Sequence, residues 1–293
     1  MSGPFHAGEL EAQARAGGGA SGGAIRPFLS AQHRAFFEAL PFVGVAGVVD
    51  GWPAATLLAG APGFVSARDE RTLAVAARVV PPDPLAAALV RGAPVGLLGI
   101  ELATRRRNRA NGILLQAGPD GFVVDVRQSF GNCPQYIHPR TLSAVLRTAS
   151  PAEPLQGLDA AARATIARAD TFFVASAARA GEASGGADLS HRGGSPGFVR
   201  VEGDTLTIPD YPGNRYFDTL GNMVSDPRAA VLFVDLAEGE LLHLDGTVEI
   251  VWDGPEVHAL PGAERLWRLR VRRGLRRRGA FPLRVREDPR PDP

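Results

Sequence analysis

The tetrapeptide PGFV stands at Pro62–Val65 and again at Pro196–Val199, 134 residues later, where it closes the longer stretch GADLSHRGGSPGFVRV, Gly186–Val201. The same offset lays VGLLGIEL (Val95–Leu102) over AAVLFVDL (Ala229–Leu236) and Asn111-Gly112 over Asp245-Gly246. Three anchors that share one offset without a gap predict an internal repeat: two similar β-rich barrels packed as a pseudo-dimer.

The hydrophobic pattern around these anchors is mostly that of strands. Phe42–Gly60, FVGVAGVVDGWPAATLLAG, reads as two apolar strands joined at Asp50-Gly51, a dipeptide that accepts the positive φ of a tight hairpin. GFVSA, TLAVAARV and GFVVDVRQSF in the first half read as strands, as do TFFVASA, GADLSHR, GFVRVEG, TLTIPDY, AAVLFVDL and ELLHLDGTVEIVW in the second. Asn111-Gly112 is read as a turn. Helices are expected over AQHRAFFEAL, capped by Ser30 and stopped by Pro41, and over AAARATIARA, capped by Asp159. Further helical spacing lies in DPLAAALVRG, near Arg140–Arg147, and in NRYFDTLGNMVSD, which starts near Asn214 and is broken by Pro227.

These readings give a mainly β chain with short helices, of the α+β class. Residues 1–26, with a short helix around Glu9–Arg15 and the glycine-rich AGGGASGGA, are expected to be a mobile arm. The Pro- and Ala-rich TASPAEPLQG divides the rest into a first barrel unit, 27–150, and a second, 151–293, which ends in an Arg-rich strand. Between Arg265 and Arg290 there are 11 arginines. The alternation in WRLRVRR puts Trp267, Leu269 and Val271 on one face and arginines on the other.

A formal net charge of +1 over 293 residues excludes a dedicated nucleic-acid binder, which needs a strongly basic surface. Every one of the 32 basic residues is Arg. One cysteine, Cys133, cannot form an intrachain disulfide, and no long apolar run is present, so the expectation is a soluble cytoplasmic protein without membrane contact. The six histidines are scattered and give no metal-ligand spacing, and neither a P-loop nor a dinucleotide fingerprint occurs. His191 and Arg192 stand before a glycine turn, and a cation beside bare backbone N–H groups makes a seat for an anion such as a phosphate. The run Arg105, Arg106, Arg107 and Arg109 is either a basic patch or a charged hairpin loop facing water.

GIELATRRRNRANG (Gly99–Gly112), QSFGNCPQYI (Gln128–Ile137), GADLSHRGGSPGFVRV and IPDYPGNRYFDTLGN (Ile208–Asn222), in that order, resemble the pyridoxamine 5′-phosphate oxidase-like flavin-nucleotide-binding proteins. The resemblance runs from about Phe5 to Val285 and implies split β-barrels that bind FMN where two barrels meet. It places His191, Arg192, Asn214, Arg215 and Tyr216 around the phosphate and ribityl chain, and Gln128, Ser129 and Asn132 as polar contacts to the ring or phosphate. The chain departs from the family pattern at Ser195, where a basic residue is usual, and at His243, where glutamine is usual. It also has Ala54 in place of a tryptophan. The implied activity is an FMN-dependent oxidoreductase acting on a small-molecule substrate or a redox partner protein, with no catalytic residue identifiable, as a homodimer or an internal pseudo-dimer. The alternatives are a non-catalytic flavin-nucleotide carrier and a barrel for haem or a deazaflavin, with His191 or His243 as the iron ligand.

Overall fold

Strand β1 (Phe42–Val49) is apolar or glycine at every position, so it needs cover on both faces. In the computed structural model, which describes residues 3–146 and 149–286, it receives that cover from two different cores. Val43 and Val45 face a core built within the first half of the chain, whereas Phe42 and Ala46 face a core shared between the halves.

The first half also supplies β2 (Trp52–Ala59), β3 (Val65–Ala67), β4 (Thr72–Val75), β5 (Pro94–Glu101), β6 (Arg106–Gly118) and β7 (Gly121–Gly131). They form one antiparallel sheet in the order β2-β1-β5-β6-β7-β4-β3. The second half supplies β10 (Thr171–Ala177), β11 (Ala187–Gly193), β12 (Arg200–Glu202), β13 (Thr205–Asp210), β14 (Arg228–Asp235), β15 (Glu240–Val251) and β16 (Arg265–Arg277). Their order, β11-β10-β14-β15-β16-β13-β12, repeats the first position by position, with β9 (Glu153–Leu155) added beside β16. Register agrees as well: Leu98 lies opposite Arg109, and Leu232 lies opposite His243, 134 residues on in both strands. Each sheet wraps its own core without closing into a barrel. A third core, with Phe42, Leu98, Phe173, Leu189 and Leu232 among its members, joins the two back to back. A short ladder of β8 (Leu142–Ala144) and β17 (Leu283–Val285) covers its edge.

The helices are α1 (Ala7–Arg15), α2 (Ala31–Ala39), α3 (Ala160–Arg168), α4 (Asp218–Ser225) and α5 (Pro255–His258). Ser30 and Asp159 cap α2 and α3 as their sequences lead one to expect. None of the described helices is long and apolar enough to cross a membrane.

Five expectations need correction. Asn111-Gly112 is not a turn; it and Asp245-Gly246 each lie within a long strand, β6 or β15, where the ladder register slips. A Cβ on Gly112 would lie 2.1 Å from the Asp125 carbonyl oxygen, and one on Gly246 2.1 Å from that of Arg270. Glycine is there because a bulge brings two backbones together, and both bulges fall at the same place in their sheets. The segment read as a helix near Arg140–Arg147 contains β8 instead, and Arg147 lies outside the described residues, as does Arg290. Asn214, Arg215 and Tyr216 precede α4 rather than starting it, in a loop where Arg215 (φ 57°) and Phe217 (φ 65°) turn left-handed. The helical spacing of DPLAAALVRG yields only a 3-10 turn over Pro84–Ala88.

The arm is ordered too. His6 caps α1 in a reciprocal box with Glu9, and Ala12 is buried in the second core. α1 lies directly on α4: a Cβ on Gly221 would stand 2.5 Å from Glu9 Cα, and one on Gly8 2.3 Å from the Gly221 carbonyl oxygen. Gly221→Ala is therefore expected to undock the arm at a cost of about 1–3 kcal/mol, the range for overpacking a close contact. Limited proteolysis should then cut between Arg15 and Ile25, while Gly118→Ala, with open space around it, leaves the arm protected.

Candidate anion-binding cleft

Alternation along a strand sends Arg107, Arg109 and Asn111 of β6 to one face, and Asp188, Ser190 and Arg192 of β11 to one face. The two strands meet where the sheets join, and the loops after β7 and β13 close over them. The resulting cleft encloses about 610 Å³ including its mouth. An adjoining lobe of about 420 Å³ shares Arg109, Arg192, Tyr211 and Asn214 with it.

Arg109 is the most deeply engaged cation. Its Nη1 donates to Asp188 Oδ1 (3.0 Å) and Asp218 Oδ2 (2.9 Å), and its Nη2 donates to Ser190 Oγ. Burial alone would lower its pKa, but the Asp188 and Asp218 carboxylates carry it above the ordinary value. Arg192 faces Asp210 at 3.3 Å, and Asp210 is also held by Arg265 at 2.7 Å. Arg107 differs, because it faces no carboxylate among the described residues. Its Nη2 donates to the Cys133 carbonyl oxygen at 2.8 Å, and its Nη1 donates to His191 Nδ1 at 2.9 Å. Burial first, then the neighbouring Arg109 and Arg192, push its pKa down to about 9.

The contact between Arg107 and His191 fixes a tautomer. A guanidinium N–H can only donate, so His191 Nδ1 carries the lone pair and its proton sits on Nε2. That Nε2–H has no partner, and neither do the buried Nε atoms of Arg107, Arg109 and Arg192 or Nδ2 of Asn132. Burial and the charge of Arg107 hold His191 well below its ordinary pKa, so the ring is neutral. Five buried N–H groups converge on one cleft without an acceptor, an arrangement that an anion with several oxygens would satisfy. A stacked pair, Tyr136 and Tyr211 (5.2 Å, 26°), lines the same space.

The structure brings His191, Arg192, Asn132 and Asn214 together here, with Asn214 Nδ2 reaching Asn132 Oδ1 at 3.4 Å. Arg215 lines the adjoining lobe, and its Nη2 donates to the carbonyl oxygens of Ala16 (2.8 Å) and Gly18 (2.6 Å), tying down the arm. Three other residues lie away from the cleft. Tyr216 packs between Phe5 and Phe130. Gln128 donates to the Pro4 carbonyl oxygen at 2.7 Å and lines a different cavity. Ser129 is fully buried, with its Oγ 2.7 Å from His33 Nδ1. Arg107 and Arg109 were visible in sequence only as part of an arginine run; their period-two spacing with Asn111 was the sign of a shared strand face.

The tautomers also sort the two histidines considered as iron ligands. His191 presents N–H where a metal needs a lone pair. His243 has the reverse arrangement, since its Nδ1–H donates to the Ala55 carbonyl oxygen at 3.1 Å.

Fold and site together define an antiparallel β protein with a cationic cleft at the junction of two sheets. Residues 158–287 match the family model for pyridoxamine 5′-phosphate oxidase. No curated protein matches the chain. Among solved structures, a variant of HupZ from Group A Streptococcus is similar at 14% identity over 41% of this chain and 98% of its own, with a TM-score of 0.32. An FAD-binding protein from Mesorhizobium loti is 14% identical over 44% of this chain and 99% of its own, TM-score 0.32. The Bacillus subtilis inhibitor of motility is 10% identical over 83% and 90%, TM-score 0.24.

Proposed function

We propose that the cleft binds a flavin nucleotide, FMN, and that the chain is a flavin-dependent redox protein built from two split-barrel units packed as an internal pseudo-dimer. The observation that carries this reading is the set of five unpartnered buried N–H groups on Arg107, Arg109, Arg192, His191 and Asn132. A phosphate carries about 1.5 to 2 negative charges and three strong acceptor oxygens, which is the complement of such a set. The shared strand order supports the two-unit reading.

The bound flavin would supply hydride or single-electron transfer. The protein's part is to bind, orient and exclude water. Asp188, Asp210 and Asp218 are each held by an arginine, and His191 is kept neutral with its free proton pointing away from Arg107. The cleft thus presents donors rather than a free general base among the described residues, which suits a scaffold for a redox cofactor better than a hydrolase.

The test is an FMN titration followed by flavin fluorescence. Wild type is expected to quench the flavin saturably, and Arg107→Ala to weaken binding by about 10- to 100-fold, the worth of hydrogen bonds to a charged group. Riboflavin, which lacks the phosphate, should bind the wild type as weakly as FMN binds the variant. A wild-type protein that ignores FMN overturns the reading.

A further inference from the structure

The cationic cleft has a counterpart on the other side of the sheet junction. β11 lies against β5 and β6, and in the same way β2 lies against β14 and β15. Register makes the correspondence residue by residue. Arg109 lies opposite Leu98 and His243 opposite Leu232, 134 residues further on in both strands. Arg192 lies opposite Phe172, and Leu58 opposite the equivalent Val43. By the same pairing Arg107 corresponds to Leu241, His191 to Leu57 and Asp188 to Ala54. Arg107, Arg109, Arg192 and Asp188 thus give way to Leu241, His243, Leu58 and Ala54.

The space itself is retained. A cavity of about 450 Å³, mouth included, is lined by Trp52, Pro53, Ala54, Leu244, Gly274 and His243 among others. The charges at its rim are already engaged: Arg272 and Arg273 hold Asp245 at 2.9 and 3.0 Å, and the Arg272 guanidinium lies 3.8 Å from the Trp52 ring centre. Close to His243, Asp83 is held by Arg277 and by the Thr56 hydroxyl. His243 is 7% exposed and donates its Nδ1 proton to Ala55, which leaves Nε2 as a bare acceptor with no partner. Burial pushes its pKa down to about 4, so the ring stays neutral at physiological pH.

We propose that this second cleft is a ligand site in its own right, for a small uncharged planar heterocycle whose N–H donates to His243 Nε2. The charged residues that line it, Asp245 and Arg273, are paired with each other, and a neutral donor restores the hydrogen bond that folding left unmade at His243. Trp52 and Pro53 supply flat apolar walls for such a ring. The inference does not depend on what fills the cationic cleft.

Benzimidazole and its N-methyl derivative are suitable probes at about pH 8, where such rings are neutral. Tryptophan fluorescence and nitrogen NMR of the histidine rings report binding. Benzimidazole is expected to bind wild type saturably and to move the His243 Nε2 signal. The N-methyl probe, unable to donate, should bind about tenfold more weakly, the worth of one hydrogen bond. In His243→Phe the two probes should bind alike. Equal affinity of both probes for wild type, no saturable binding, or an unmoved His243 signal would each overturn the proposal, and the first comparison needs no variant to fold. Binding of benzimidazole alongside a failed FMN titration would sink only the flavin reading.

Discussion

Arg109→Leu is expected to destabilise the protein by about 3–5 kcal/mol at neutral pH, the range for removing one partner of a buried ion pair. Leucine fills much of the space but leaves Asp188 and Asp218 buried without their shared cation. Asp218 is already pushed up to about 6, chiefly by burial, with Asp188 adding to the rise and Arg109 opposing it. Without Arg109 its pKa climbs further, so the variant can accept a proton on folding that wild type takes less readily. The sign follows: a carboxyl whose folded pKa is raised favours the folded state more as pH falls. The variant should therefore recover stability between pH 7 and 5, where the wild type changes less, in urea melts at both values. Adding Asp218→Asn should restore more than half of the loss, because the uncompensated charge rather than the missing cation carries the cost. A loss below 1 kcal/mol, unchanged with pH, would mean that the two carboxylates find other partners.

Much of the scaffold was legible because strands covered on both faces must be apolar along their covered length, as β1 is and as Phe172–Ala175 of β10 and Ala229–Val234 of β14 are. The hairpin at Asp50-Gly51 and the caps at Ser30 and Asp159 were readable because their chemistry is local. Asn111-Gly112 misled for the same reason. A turn dipeptide and a bulge dipeptide use the same freedom of glycine, and only the partner strand distinguishes them. The site was half legible. His191 and Arg192 could be found beside a glycine turn, but Gln128 and Ser129 could not be told from Asn132 without knowing where β7 ends. The order of the arm was hidden for another reason. Glycine-rich sequence signals low intrinsic structure, and here that cost is offset by contacts more than 170 residues away, such as Glu182 with His6 and Arg215 with Ala16.

Those distant contacts give the arm a pH dependence, and with it a hold over the cleft. Glu9 is buried beside Asp218 and Asp188, and burial foremost pushes its carboxyl from an ordinary 4.5 up to about 10. The folded protein thus carries Glu9 protonated, with its Oε2 still accepting from the His6 backbone N–H at 2.8 Å and its proton shared with Asp218. In the undocked arm the same carboxyl ionises near 4.5, so docking takes up a proton throughout the interval from about 4.5 to 10, and docking weakens as pH rises through it. Glu9→Gln keeps an acceptor for His6 and a donor for Asp218 but has no proton to lose. It is expected to hold the arm more tightly than wild type at about pH 8, by roughly 2–4 kcal/mol, and to flatten the pH dependence. Proteolysis near Ala16–Ala24 reads this directly, since release of the arm is a local opening rather than global unfolding. The consequence reaches the cationic cleft because the arm's carbonyl oxygens at Ala16 and Gly18 hold Arg215, whose loop walls the lobe beside Arg192 and Asn214. Wild type should therefore lose both protease resistance and FMN affinity as pH rises from 7 to 9, and Glu9→Gln should keep both. If FMN affinity falls equally in the two proteins, the arm does not govern the cleft, and the loss lies instead with Arg107, whose own pKa of about 9 begins to release its charge in the same interval.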